Sequence, residues 1–239
     1  MKKLAIALVG FLFVMGCDDD VPPVDPPKQD IELSLNHIWG SSAFELNEWY
    51  TTSNGDSFKP TLLRYHINNF ELIDDQGGVH AYKNWELSEG IDQVLKFSDS
   101  TGANFTKIRF TVGVADSATN RNGLLNQEFV DPMYWAMASG YINVKLEGRS
   151  MQSGVEGGVY YHIGGYTSGF ATARTIELEF PSSVKASLGN NTASLNVDVA
   201  EFFTTPNAID IMTMDDVQTV SADAVLISQN WDSMFSLGN

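Results

Sequence analysis

The sequence predicts an all-β fold, an antiparallel β-sandwich carrying one short helix near its C-terminus. Three observations lead there. Apolar residues recur with a period of two in segments bounded by Gly, Asn, Ser and Asp. A helical period is confined to one segment close to the end of the chain. The roughly 210 residues from Asp30 onward contain no second linker and no fixed-period repeat, which suits one large all-β domain.

Taken in order, Thr61 to Ile73 reads as a long strand. Asp74-Asp75-Gln76-Gly77-Gly78 is a turn, and Val79 to Leu87 returns, giving a hairpin. Alternation recurs at Thr106 to Val114, Tyr141 to Leu146, Gly158 to Ile163, Thr175 to Phe180 and Ala193 to Val199. Regularly spaced strands of this kind favour a sandwich. The helix is placed at Ser221 to Phe235. Ser221 can cap it, and Ala224, Val225, Ile227, Trp231, Met234 and Phe235 approximate one apolar face.

The N-terminus carries a different signal. Lys2 and Lys3 precede an apolar run from Leu4 to Met15, then Gly16 stands directly before Cys17, the single cysteine. This is the order of a secretory leader, with charged residues, an apolar stretch and a small residue at the cut. The run is shorter than the ~20 residues a membrane-spanning helix needs. A cysteine just after the cut is the lipoprotein variant, in which the thiol is acylated. Residues 1–16 are therefore expected to be a leader and Cys17 a lipid attachment site, leaving the mature chain anchored to the cell outer membrane and periplasmic or surface-exposed. With Cys17 used, disulfides and thiolate metal sites are excluded. Residues 17–30 hold Asp18-Asp19-Asp20 and four of the eight prolines, the composition of an extended spacer. The acidic triplet reads either as solvated tether or as a sorting signal to the outer face of the outer membrane. The domain proper is expected over 31–239.

Lys and Arg number 14 against 30 Asp and Glu, a formal charge of −16. Loss of Lys2 and Lys3 with the leader makes it more negative still. Such a body repels phosphate backbones, so nucleic acid is excluded as a partner. Acidity also suits cation handling, although solubility alone explains it.

Five phrases in the middle of the chain occur in a telling order: Leu63-Arg64-Tyr65-His66-Ile67-Asn68-Asn69-Phe70-Glu71-Leu72; Phe110-Thr111-Val112-Gly113-Val114; Met133-Tyr134-Trp135 leading to Gly140-Tyr141-Ile142; Lys145-Leu146-Glu147-Gly148; and Tyr161-His162-Ile163-Gly164-Gly165. Together they resemble the MbnP-like family of exported copper-binding β proteins, over most of residues 31 to 235, and most of all its lipoprotein branch. The resemblance implies a mononuclear copper site made of two histidine nitrogens and a tryptophan oxidised to kynurenine by a partner di-haem enzyme. It also implies where those ligands should lie. The first family histidine falls in the phrase that reads His66-Ile67-Asn68-Asn69-Phe70 here, which puts Asn68 at the ligand position. The second falls in an Asn-His pair that reads Asn120-Arg121 here. An amide and a guanidinium are poor copper ligands.

Four histidines remain to be weighed: His37, His66, His80 and His162. None forms a His-x-His or His-x-x-x-His pair, so any site must be assembled across strands. His66, His37 and His162 are the candidate ligands for copper, which favours imidazole. His66 should pair near Glu86 in the hairpin, which keeps His80, closer to the turn, out of contact. The neighbours of His162 favour an imidazole bonded to backbone. Trp135, within Met133-Tyr134-Trp135-Ala136-Met137, is the candidate oxidised or site-lining aromatic, with Met133 and Met137 as soft side chains beside it.

Chemistry of other kinds is missing. There is no Gly-x-Ser-x-Gly elbow, no His-Glu-x-x-His phrase and no phosphate loop. Asp116, Asn120 and Asn122 resemble a calcium loop only loosely. Glu177 and Glu179 alternate toward solvent, and Glu147 is expected to pair with Arg64 or Arg109 across strands. The chain is not expected to be an enzyme. Two functions stay open. One is a copper-binding lipoprotein of the envelope. The other is a metal-free interaction or structural lipoprotein that recruits an envelope partner, such as a di-haem peroxidase-like protein or an outer-membrane transporter. Carbohydrate binding on an exposed aromatic face is a remote third.

Overall fold

A computed structural model describes residues 29–99, 101–115, 132–135, 140–154, 156–185 and 191–238. Among the described residues, fourteen strands fall into two sheets. The smaller runs β14 (Phe235–Leu237), β12 (Thr192–Asp198), β1 (Gln29–Trp39), then β6 (Gln93–Asp99), with β2 (Ser42–Ala43) pairing the far end of β1. The larger contains β11 (Arg174–Lys185), β7 (Asn104–Val112), β4 (Ser57–Asp74), β9 (Gly140–Arg149), β10 (Gly158–Gly164) and β13 (Asp216–Val217). There β3 (Tyr50–Thr51) and β5 (Val79–Ser88) also pair with β4, and β8 (Tyr134–Trp135) pairs with β9.

Aromatic rings fill the space between the sheets. Phe70 of the larger sheet lies 5.1 Å from Phe97 of the smaller, and Phe110 lies 5.3 Å from Phe235. A polar brace crosses the same space. His37 Nε2 on β1 is 2.8 Å from the Tyr65 hydroxyl on β4, and Asp92 Oδ1 accepts from the His37 backbone N–H at 2.7 Å. The all-β sandwich is therefore as expected. Two pairings depart from its antiparallel rule: β1 with β12 and β10 with β13 are parallel. The hairpin pairs as expected near Glu86, with His66 opposite Leu87.

The spine is β4. Its inward residues are Phe58, then Leu63, Tyr65 and Ile67, then Phe70 and Leu72, all buried. Strict alternation cannot join these groups. Register shifts between Pro60 and Leu62, and between Asn68 and Phe70, insert the extra residues that restore phase. Asn69 takes φ 51° at the second shift, a left-handed conformation that Asn tolerates better than most residues.

The edge of β4 opposite β5 changes partner halfway along. Tyr65 pairs with Ser88 of β5 and with Val144 of β9; Ile67 pairs with Glu86 of β5 and with Val112 of β7. A strand residue has one partner per edge, so β9 and β7 succeed each other on the same edge. The sheet forks there, at His66, whose carbonyl accepts from Gly113 N–H at 2.8 Å.

The C-terminal helix exists but is divided. Ala222–Ser228 is capped by Ser221, whose hydroxyl accepts from Ala224 N–H at 3.1 Å. Trp231–Met234 forms a second turn, and Phe235 already begins β14.

Candidate functional site

The fork is the place where polar side chains gather under an aromatic cover. His66 and Asn68 point away from the main core, since Tyr65 and Ile67 face it. Both are buried. Asn68 Nδ2 donates to the Gly113 carbonyl at 2.7 Å, which fixes the amide orientation. Its Oδ1 is buried and accepts no hydrogen bond from the described residues. Across the gap, Asn143 Oδ1 accepts from Val114 N–H at 2.8 Å, and Asn143 Nδ2 donates to Thr172 Oγ1 at 2.9 Å. Two buried asparagines thus clamp the end of β7 to the spine and to β9. Gly113 makes the close approach possible. It has φ 89°, and a Cβ there would lie 2.4 Å from Asn143 Cγ.

A second, small hydrophobic cluster covers the fork: Val114, Met133, Tyr141 and Ile142, with Tyr134 and Trp135 against it. The Tyr141 ring meets the His66 ring edge-on at 5.4 Å, and Tyr134 lies 5.0 Å from Tyr141. Met133 is a fully buried core thioether, and its carbonyl accepts from Ile142 N–H. Arg121, Met137 and the loosely calcium-like loop at 116–123 lie outside the described residues.

The candidate histidines are not brought together. His37 belongs to the smaller sheet and faces the space between the sheets, where Tyr65 holds its Nε2 and Asp92 lies 3.4 Å from its Nδ1. Burial lowers its pKa, and the Asp92 hydrogen bond and charge restore only part of the shift. Ser88 Oγ also lies 3.4 Å from Nε2, which mimics a Ser-His-Asp chain. Ser88 is fully buried, however, and the Tyr65 hydroxyl holds the nearer place, so the chain is a brace between sheets.

His162 sits on β10 with its Nε2 2.7 Å from Glu147 Oε1, where a backbone partner was expected. Burial lowers its pKa, opposed by Glu147. Burial also works to raise the Glu147 carboxyl, but hydrogen bonds from His162 and Lys145 outweigh it and leave the pKa below the ordinary value. Arg64 and Arg109, the expected partners of Glu147, are engaged elsewhere: Arg64 with Glu89, and Arg109 with Glu71 and Glu177. The Trp135 ring meets His162 edge-on at 6.4 Å. His80 bonds Asp74 in its own hairpin at 3.0 Å.

Among the described residues no group of three or more His, Cys, Asp or Glu side chains could hold a metal ion. The residues at the fork do not fit a two-imidazole copper site. Asn68 spends its Nδ2 on the fold, and its Oδ1 is a neutral, hard donor. The Asn143–Thr172 clamp was not legible in the sequence, because only the cross-strand register brings its members together.

No curated protein matches the chain. A solved structure, MbnP from Methylosinus trichosporium, superposes with a TM-score of 0.60 at 13% identity, covering 88% of this chain and 98% of that one. At that identity the likeness is one of fold. The family model MbnP matches residues 28–222, which is most of the chain. The chain therefore belongs to the MbnP family.

Proposed function

We propose that the protein is a lipid-anchored component of the cell envelope whose MbnP domain serves as a non-catalytic interaction module. The leader, Cys17 and the acidic Pro-rich tether support the anchoring and the compartment, outside the cytoplasm on the outer membrane. The observation that carries the module reading is Asn68: a buried amide locked to the Gly113 carbonyl stands where the family resemblance calls for a histidine. A second reading keeps copper. It is favoured by His66, two residues away on the same face of β4 and buried with its ring edge-on to Tyr141.

One preparation tests both. The chain is expressed with its own leader in a Gram-negative host given copper, and purified without chelators or a histidine tag. Copper and zinc per chain are then counted by mass spectrometry and the copper EPR spectrum is recorded. The module reading expects no stoichiometric copper, even after titration. About one copper per chain with nitrogen hyperfine lines, lost in His66→Ala, establishes the copper reading instead. Anchoring is tested in the same cells. Labelled fatty acid should enter the wild type and not Cys17→Ser, which should leave the membrane fraction. Label retained in Cys17→Ser ends the lipoprotein reading.

A further inference from the structure

One end of the sandwich carries an apolar surface that no part of the described fold covers. The hairpin from Tyr50 to Lys59, formed by β3 and the start of β4, gathers three loops. Trp49 immediately precedes it, 50% exposed, with Lys59 Nζ 5.9 Å above its ring. Met151 is 77% exposed, and its backbone N–H donates to Ser57 Oγ at 3.0 Å. Met212 is 66% exposed and follows Ile211, whose N–H donates to the buried Asp56 carboxylate at 3.1 Å. Scattered exposed apolar residues are ordinary, but these three converge on one hairpin.

The loops are braced. Gln152 Oε1 accepts from both Ser57 N–H and Ser57 Oγ, Asn54 Nδ2 donates to the Ile209 carbonyl, and Asp215 Oδ2 accepts from Ser153 Oγ and Gly154 N–H. A surface held in place before binding avoids the cost of ordering it. Trp and Met are also enriched in protein interfaces.

Position and charge indicate the occupant. This end is the far end of β1 from Gln29: Trp39, the last residue of β1, stacks on Tyr50 at 4.5 Å. Eleven strand residues separate the two ends, roughly 30 Å at strand spacing. The tether joins the other end of β1, at Gln29, so the surface lies at the end of the sandwich opposite the tether. Glu48, Glu156, Asp210 and Asp216 are exposed around it, against Lys59 and Arg149. Such a rim repels anionic head groups and attracts basic ones.

We propose that Trp49, Met151 and Met212 form a docking surface for another envelope protein, one presenting an apolar pocket with a basic rim. The proposal rests on the module reading and names its face. The test places a photo-crosslinking phenylalanine analogue at each of the three positions in the full-length anchored chain. Controls carry it at Ser98, exposed near the start of β1, and at Tyr134 and Trp135 over the fork. Expected is capture of one and the same protein from all three distal positions and not from Ser98. Its affinity for the purified chain should fall at least about tenfold in the Met151→Asp, Met212→Asp double variant and fall with added salt. An unchanged thermal midpoint shows that this variant folds. Capture of a second copy of the chain, of lipid, or of the same proteins from Ser98 overturns the proposal. Capture from the fork alone overturns it while preserving the module reading, and capture from neither face overturns both.

Discussion

Burial of the His37 ring sets a sign for the pH dependence of stability. An unfolded histidine takes up its proton near a pKa of about 6.5. In the fold the pKa is lower, chiefly from desolvation, with Asp92 opposing. As pH falls through the unfolded value, the unfolded chain binds the proton first. Stability is then lost, and the loss levels off once pH is below the folded value. His162 acts in the same direction. His37→Gln should be less stable near neutrality, because the Tyr65 brace is altered, yet lose less stability than the wild type on acidification from about pH 7 to 5. Urea unfolding at several pH values checks this, and parallel curves would refute it. The two fork asparagines should differ in weight. Asn143→Ala removes the acceptor of the Val114 N–H and the donor to the Thr172 hydroxyl and should cost about 2–3 kcal/mol. Asn68→Ala breaks one bond but also removes an acceptor that is unpaired among the described residues, so it should cost about 1 kcal/mol less. Urea midpoints at constant m separate the two.

At the scale of elements, period-two alternation pointed to the long strands of the larger sheet, although β9 opens with five buried residues in succession beneath the small cluster at the fork. The rest was hidden by distance along the chain. The parallel pairing of β1 with β12 joins segments about 160 residues apart, as in Glu32 with Thr192. The helix looked continuous because no Gly or Pro interrupts Ser221 to Phe235. Its break comes from a tertiary partner. Asn230 is fully buried, donating Nδ2 to the Phe202 and Asn207 carbonyls and accepting from Asn207 N–H. Those three bonds outweigh the propensity to continue. Asn230→Ala should therefore destabilise by about 2–4 kcal/mol, measured by calorimetry, far more than a helix-propensity change would. Of the candidate site, His66, Asn68 and Trp135 could be read from sequence phrases. The clamp by Asn143 and Thr172 and the pairing of Glu147 with His162 could not, since both depend on cross-strand register.

Considered whole, the molecule hangs on β4. Its residues pair with β3, β5, β7 and β9, and its inner face meets the smaller sheet. A strand shared so widely leaves no half that could melt alone. Far-ultraviolet and near-ultraviolet circular dichroism should trace one coincident unfolding transition, and separated transitions would show that the branches of the larger sheet unfold independently. Outward charges are arranged in keeping with this frame. Lys107 and Arg109 on β7 meet Glu177 and Glu179 on β11 in exposed pairs whose worth is small.

The fork has a consequence for how such a protein diversifies. Between β7 and β9 the chain is moored to the frame at two places, Val114 to Asn143 and Met133 to Ile142. Both moorings are made by the frame, so changes at Tyr134 and Trp135 alter the cover over His66 without loosening the cradle beneath it. Such a frame depends on cross-strand bonds more than on the identity of the residues that cover it, in keeping with a fold shared at 13% identity.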